Sequence, residues 1–356
     1  MPSIKFVVET GRHERPDGVL CAALPAGMIP EGTLVETRKP KKALPYQVVD
    51  GVLYFANPRI AAGKKAEFEF RAGMDAPGRL GAADIADKGG SLEVLLKGKL
   101  FTRYVYNPEN APKPYFYPVM GPREIPVTRG YPMDPQPGDD EDHVHHKSLY
   151  VAHGDVNGAD VWSEAAGRGS QRHNEFTRVL SGPFVAGFDE KLTWRDKDKN
   201  PLVDELRTAR FYNVPGNVRV MDLGVKFIAA HGAVKFGDTK EGGIVSVRVS
   251  SKMDGNKNGT MENAFGGRGE AECWGKPAPW VDYSGLLKGK RLGIAIFDHR
   301  DNLRHPARWH VRDYGLFALN PFALGAYNYG RDTDGSFHLA AGSELGFNFR
   351  IVIHQG

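Results

Sequence analysis

The chain has 356 residues, with 47 basic against 43 acidic side chains for a net charge of +4, and only Cys21 and Cys273 as cysteines. That balance, with no long lysine or arginine run, argues against a nucleic-acid partner. The cysteine count supports neither a disulfide framework nor a thiolate metal site, and no stretch reaches the roughly 18 apolar residues of a membrane helix.

The 43 glycines and 24 prolines exceed the usual shares of about 7% and 5%, as expected when many short strands are joined by tight turns. In chain order, strands are expected over 4–9, 52–56, 92–105, 218–229, 244–251 and 291–297, which are rich in β-branched and aromatic residues. Two segments alternate strictly. Ala66, Phe68 and Phe70 oppose Glu67, Glu69 and Arg71; Leu345, Phe347, Phe349, Ile351 and Ile353 oppose Gly346, Asn348, Arg350 and His354. Helical turns are expected only over 82–88 and within 174–180, too few for a parallel βαβ architecture. The expected fold is therefore all-β, a large antiparallel sandwich over 73–356 preceded by a small β region over 1–72, with the seam in the glycine-rich stretch 72–90. The first fifteen residues hold only a short apolar patch at 6–8, between Lys5 and Glu9, so no secretory leader is read and a cytoplasmic location is expected.

Two long stretches interrupt the strand pattern, 107–142 with its prolines and 299–335 with its arginines, histidines and aromatics. Loops of this length in a compact chain usually carry function. The first runs into Asp142-His143-Val144-His145-His146-Lys147. On an extended backbone His143 and His145 share a face and His146 takes the other, an arrangement from which a divalent metal site can grow. His153 is too far along a straight strand to serve as the third ligand, at about 26 Å from His145; His299, His305 and His310 in the second stretch are better placed by type. That stretch also supplies Asn302, Arg304, Trp309 and Arg312. Histidine titrates near neutrality and arginine offers a fork to carboxylates or enolates. Glu241, in the glycine-rich turn 237–243, is either a hairpin residue or a general base at a sheet edge.

Several blocks bear a family likeness. The histidine motif runs on through Ala152-His153-Gly154-Asp155 to Asp160-Val161-Trp162. Thr239-Lys240-Glu241-Gly242, Trp280-Val281-Asp282-Tyr283, Phe297-Asp298-His299 and Arg312-Asp313-Tyr314-Gly315 follow. Together they resemble the bacterial PmoA-like family, a domain family of unknown function whose label refers to methane oxygenase. The lead-in Pro45-Tyr46-Gln47 to Gly51 is similar to that of carbohydrate-active sandwiches. The resemblance implies a galactose-mutarotase-like supersandwich, in which a histidine acid and a glutamate base work on a sugar ring from the concave face. Lys147 stands where that family often has arginine, which implies a point charge in place of a fork.

The leading expectation is an enzyme that acts on a sugar, glycoside or keto-sugar by acid-base chemistry, through epimerisation, elimination or hydrolysis. His143, His145, Glu241 and His310 would be catalytic. Arg123, Arg129, Lys147, His153, Asn302, Arg304, Trp309 and Arg312 would bind substrate. In a metal-assisted version His143, His145, His299 and His305 hold a divalent ion. The alternative is a non-catalytic carbohydrate-binding sandwich that stacks sugars on Trp162, Trp274, Trp280 and Trp309. An oxygenase, as the family label hints, would need copper or iron. The expected partner is a small carbohydrate, with neither nucleic acid nor membrane.

Overall fold

The computed structural model describes residues 2–57, 59–73, 82–327 and 333–356. Among them the alternating segments form strands whose buried and exposed residues follow the two-residue period: Ala66, Phe68 and Phe70 are buried in Lys65–Ala72, as are Phe347, Phe349, Ile351 and Ile353 in Glu344–Gln355. Among the described residues the two α-helices, Gly269–Cys273 and Leu324–Tyr327, are single turns. No helix of the described residues is long and apolar enough to cross a membrane. The architecture is all-β, as the alternation and the turn residues require.

Two antiparallel eight-stranded sheets dominate. The first runs, in spatial order, Arg308–Val311, Leu316–Asn320, Gly242–Arg248, Leu149–His153, Tyr115–Val119, Lys99–Val105, Ser91–Leu96 and Ala83–Asp87. The second runs Ser170–Leu180, Val185–Arg195, Pro201–Tyr212, Val218–Ile228, Glu344–Gln355, Lys290–Asp298, Trp280–Leu287 and Thr260–Asn263. Their facing side chains, among them Leu149, Val151, Val245, Val247, Phe317 and Trp309 from the first and Phe211, Leu223, Phe347 and Ile351 from the second, merge into one apolar core. Each fully buried large side chain in it stabilises the sandwich by about 1.5–3 kcal/mol. One polar cluster interrupts this core. Glu190 accepts from Tyr104, Glu205 accepts from Trp194 and Arg207, and Arg207 also donates to Tyr104 and Gln171, so the cluster is internally satisfied.

Residues 3–72 build two smaller sheets, of four and three strands, around their own core of Leu34, Leu53, Phe55, Phe68 and Phe70. The segment 74–81, where the expected seam falls, lies outside the described residues. The smaller sheets meet the second large sheet through Gln47, whose amide oxygen accepts from the backbone of Phe184 and Val185 and whose amide nitrogen donates to the Val185 carbonyl. Beside it, Val49 packs on Phe184, Val185 and Tyr212.

The strand expectations need four corrections. The stretch 92–105 is a hairpin, bent at Lys97-Gly98, both with positive φ, as in the turns Asp50-Gly51 and Lys288-Gly289. The two expected helical turns are strands: 82–88 holds the edge strand Ala83–Asp87, and 174–180 lies within Ser170–Leu180. In the latter, register shifts at His173/Glu175 and Phe176/Arg178 break the period of two and imitate a helical spacing. Finally, the stretches 107–142 and 299–335 are not wholly loop, since they contribute Tyr115–Val119, Arg308–Val311 and Leu316–Asn320 to the first sheet.

Candidate active site

Along the first sheet, alternate residues leave the core and face outward. Because Trp309, Val311, Phe317, Leu319, Val245, Val247, Leu149 and Val151 point inward, the outward set is His310, Leu316, Ala318, Ser246, Arg248, Tyr150 and Ala152. Tyr150 stands opposite Ser246, and Ser246 opposite Ala318, so small residues floor the middle of this face. The loops before Leu149 and after His153 fold over it. They bury Tyr150, Ala152, Leu316, Ala318 and Trp162 as a second apolar patch on the side away from the main core.

The histidine motif sits on this face as a turn, not as a strand. His143 has φ +40°, and its carbonyl accepts from the His146 amide at 2.9 Å. The expected split of His143 and His145 from His146 is therefore replaced by a cluster of all three rings, with centroids 5.8, 4.8 and 4.4 Å apart. The hub of the turn is Asp142. Its carboxylate receives Arg129, takes Arg248 Nη2 at 2.8 Å, and lies 2.9 Å from His143 Nδ1. Burial raises the Asp142 pKa, but Arg248, His143 and Arg129 outweigh it and hold the group below the usual carboxylate range. A carboxylate at Nδ1 orients the imidazole and leaves Nε2 for another partner. His143 is exposed, whereas His146 is buried. Burial lowers the pKa of His145 to about 4 and that of His146 well below its ordinary value, so both are neutral imidazoles at pH 7.

A second ionic group lies beside the first. Lys113 and Lys147, both buried, converge on Glu164 at 2.7 and 3.0 Å. Lys113 also donates to the Trp162 carbonyl at 3.0 Å and lies over the Tyr150 ring. Lys147 and Tyr115 line a cleft of about 410 Å³ that also involves Pro132 and Met133. Within this face His310 meets the Lys240 backbone, while two buried polar atoms complete no hydrogen bond among the described residues, Tyr150 Oη and Trp162 Nε1. Groups of this kind cost free energy unless a ligand or water meets them.

The remaining wall comes from the end strand. His310 packs on Tyr327, and burial with the charges of Arg312 and Lys240 lowers its pKa to about 3. Tyr314 stacks on His143, under Arg248 and Arg312. Arg312 is held by Glu270 at 2.8 Å and also lies over Trp274. Glu241, half exposed and 3.6 Å from Lys240 Nζ, acts electrostatically on both Tyr314 and Tyr327. His143, His145, Glu241, His310, Arg129, Lys147 and Arg312 thus gather on one face.

The other residues singled out in the sequence are elsewhere. His153 points into the core, with Nε2 2.9 Å from the Gly237 carbonyl and the ring against Phe322. Trp309 is fully buried and donates to the Ala278 carbonyl, and Trp162 is likewise buried, so neither presents a face for stacking a sugar. Arg304 fastens the carbonyls of Pro321 and Ser336, and Asn302 ties Asp298 to the Asn348 backbone. Arg123 bonds Gln355 at the opposite strand end. His305 is 2.9 Å from Asp298, while His299 lines a groove of about 1020 Å³ on the outer face of the second sheet. The histidines 299 and 305 therefore do not join 143 and 145. Among the described residues no group of three or more histidine, cysteine, aspartate or glutamate side chains is placed to hold a metal ion.

Sequence reasoning passed over Arg248, Tyr150, Tyr314, Lys113 and Glu164. Ser246 and Arg248 do leave a signal, two polar residues two apart in an otherwise apolar strand. Tyr314 lies within Arg312-Asp313-Tyr314-Gly315. Lys113 and Glu164 leave none.

A family model described as a family of unknown function (DUF6807) matches residues 91–356. The chain belongs to this family. The DUF6807 match takes in the histidine turn, both ionic groups and the end strand, and begins after the small N-terminal sheets. It corrects the resemblance to the PmoA-like family, to which nothing points. No curated protein matches the chain.

Proposed function

We propose that this DUF6807 protein is an enzyme that acts on a carbohydrate by acid-base chemistry on the outer face of the first sheet. The observation that carries the reading is the Asp142–His143 pair: an exposed imidazole with a carboxylate at Nδ1, stacked on Tyr314, on the same face as Glu241 and His310. His143 Nε2 is the proton-transferring atom. Glu241 acts from the opposite rim, and Arg312 and the neutral His145 and His310 contact the substrate. This reading takes the chain as a mutarotase-like supersandwich and leaves epimerisation, elimination and hydrolysis as the reaction classes to screen. It is favoured over a non-catalytic binding sandwich because buried tryptophans 162 and 309 remove half of the stacking platform.

The test is turnover of a panel of sugars, glycosides and keto-sugars by the wild type and by His143→Gln, His145→Ala and Glu241→Gln. A fall of about 10²–10⁴ with retained folding is expected for His143 and Glu241, the range typical of a lost general acid or base. Near-normal turnover in both variants would sink the reading.

A further inference from the structure

The two ionic groups on this face are unbalanced. Lys113, Lys147, Arg129 and Arg248 are each at most 5% exposed. Glu164 is shared by both lysines and Asp142 by both arginines. Four further carboxylates, Asp139, Asp140, Asp160 and Asp254, lie within electrostatic range, each with partners of its own, and the exposed Glu109 stands on the rim of the cleft beside Lys147. Asp160 pairs with Arg168, Asp254 shares Lys257 with Asp140, and Asp139 accepts the amides of Gly130, Tyr131 and Gln136. Each pair of buried cations therefore has one directly ion-paired carboxylate between two charges, in a place that water reaches poorly and where an under-compensated charge is expensive.

The lysine pair is the one that meets open space. Among the described residues Lys147 Nζ ion-pairs only with Glu164, which leaves it donors to spare, and Lys147 lines the 410 Å³ cleft. Trp162 and Tyr150, both 1% exposed, flank the lysine pair, the first through its carbonyl on Lys113 and the second through its ring under Lys113, and Trp162 Nε1 and Tyr150 Oη have no hydrogen-bond partner among the described residues. A tryptophan N–H can only donate, so what is missing is an acceptor. Cations in excess and donors without acceptors call for the same thing, an oxyanion.

We propose that the ligand of this site carries a carboxylate, as a uronic or aldonic acid does, and that the carboxylate enters the cleft beside Tyr115 to dock on Lys147, with Lys113, Trp162 and Tyr150 behind it. The inference rests on the carbohydrate reading above and narrows it. One excess charge at the lysine pair matches the single charge of a carboxylate better than the two of a phosphate monoester. The second excess charge, at Arg129 and Arg248, stays beside His143, where it favours negative charge developing on the substrate during proton transfer.

The test is calorimetric titration of the full-length protein with glucuronate and galacturonate, with glucose and galactose, and with inorganic phosphate. The uronates are expected to bind at least about tenfold more tightly than their neutral parents, and less tightly at high salt. Lys147→Gln should remove the difference. Glu164→Gln, which deletes the shared carboxylate, should tighten uronate binding several-fold, whereas a merely structural Glu164 would give weaker binding. Because these buried variants can fail to fold, the wild-type comparison stands alone. Neutral sugars bound as tightly as uronates would overturn the carboxylate inference and leave the carbohydrate reading in place. Phosphate bound in preference to uronates would overturn it too. Binding of neither kind of sugar would overturn both.

Discussion

The His143 and Tyr314 rings lie face to face, with centroids 4.8 Å apart and planes 5° from parallel. With Asp142 at Nδ1, the stack fixes the plane of the imidazole and leaves one edge for chemistry. The consequence is that His143 can be removed without touching the fold, whereas its supports cannot. His143→Gln should lower turnover by about 10²–10⁴ with a melting temperature within a degree or two of wild type, as expected of an exposed side chain. Calorimetry beside the kinetic assay checks both halves.

Asp142→Asn should behave differently. It leaves Arg129 and Arg248 buried without their shared carboxylate, a loss of roughly 3 kcal/mol or more when one partner of a buried pair is removed. Turnover and stability should fall together, read by denaturant titration. A variant that loses turnover alone would show that the arginines find other partners.

Acid should destabilise the protein through its buried histidines. His153 and His310 have pKa values lowered by burial to about 4 and about 3, below the 6.5 of an unfolded histidine. The unfolded chain therefore binds more protons between those values, and this contribution is complete above pH 6.5 and lost as pH falls toward 4 and 3. Each histidine contributes a slope on the order of 1.4 kcal/mol per pH unit at most. His310→Phe should flatten the loss between pH 6.5 and 4 in chemical denaturation.

Asp254 works in the opposite direction. Burial and the Asp140 carboxyl raise its pKa to about 7 from an unfolded 3.8, so its contribution is full below pH 3.8 and is lost as pH rises through 7. The wild type thus carries two opposed slopes over the same window. Asp254→Asn should remove one, and its stability relative to wild type should rise steadily from pH 4 to 7. A constant difference over that window would show that Asp254 does not titrate there.

The histidines of the second long stretch should be dispensable for turnover. His299→Ala changes an exposed residue and is expected within about 0.5 kcal/mol of wild type. His305→Ala removes the partner of the buried Asp298 and should cost about 1–3 kcal/mol. Neither should change metal content or turnover, as measured by elemental analysis and kinetics.

Alternation carried the fold because burial on one face of a strand imprints period two directly, as in Phe347 to Ile353. It failed at Ser170–Leu180, where bulges shift the phase, and at 92–105, where one apolar run holds two strands. For the site, clustering by residue type picked out His143, Glu241, His310 and Arg312, which the structure places on one face of the first sheet. It also gathered His299, His305 and Arg304, which chain proximity places near His310 but which a sharply turning chain sends to other faces. His153 and Trp309 were misjudged for one reason. A polar or amphipathic side chain on an inward strand position looks functional in sequence, while its hydrogen bond to a core carbonyl appears only in space.

The junction made by Gln47 has a bearing on what the family-matched region of this chain can do alone. The side-chain amide imitates a short length of β-ladder against Phe184 and Val185, and Val49 shelters these two and Tyr212. The family match begins at residue 91, beyond this shelter. A relative assembled from the matched region alone would present that apolar patch and its open ladder to solvent, an invitation to aggregation. Residues 91–356 expressed alone should therefore be less soluble than the full chain, and a cover placed over this one spot should restore them.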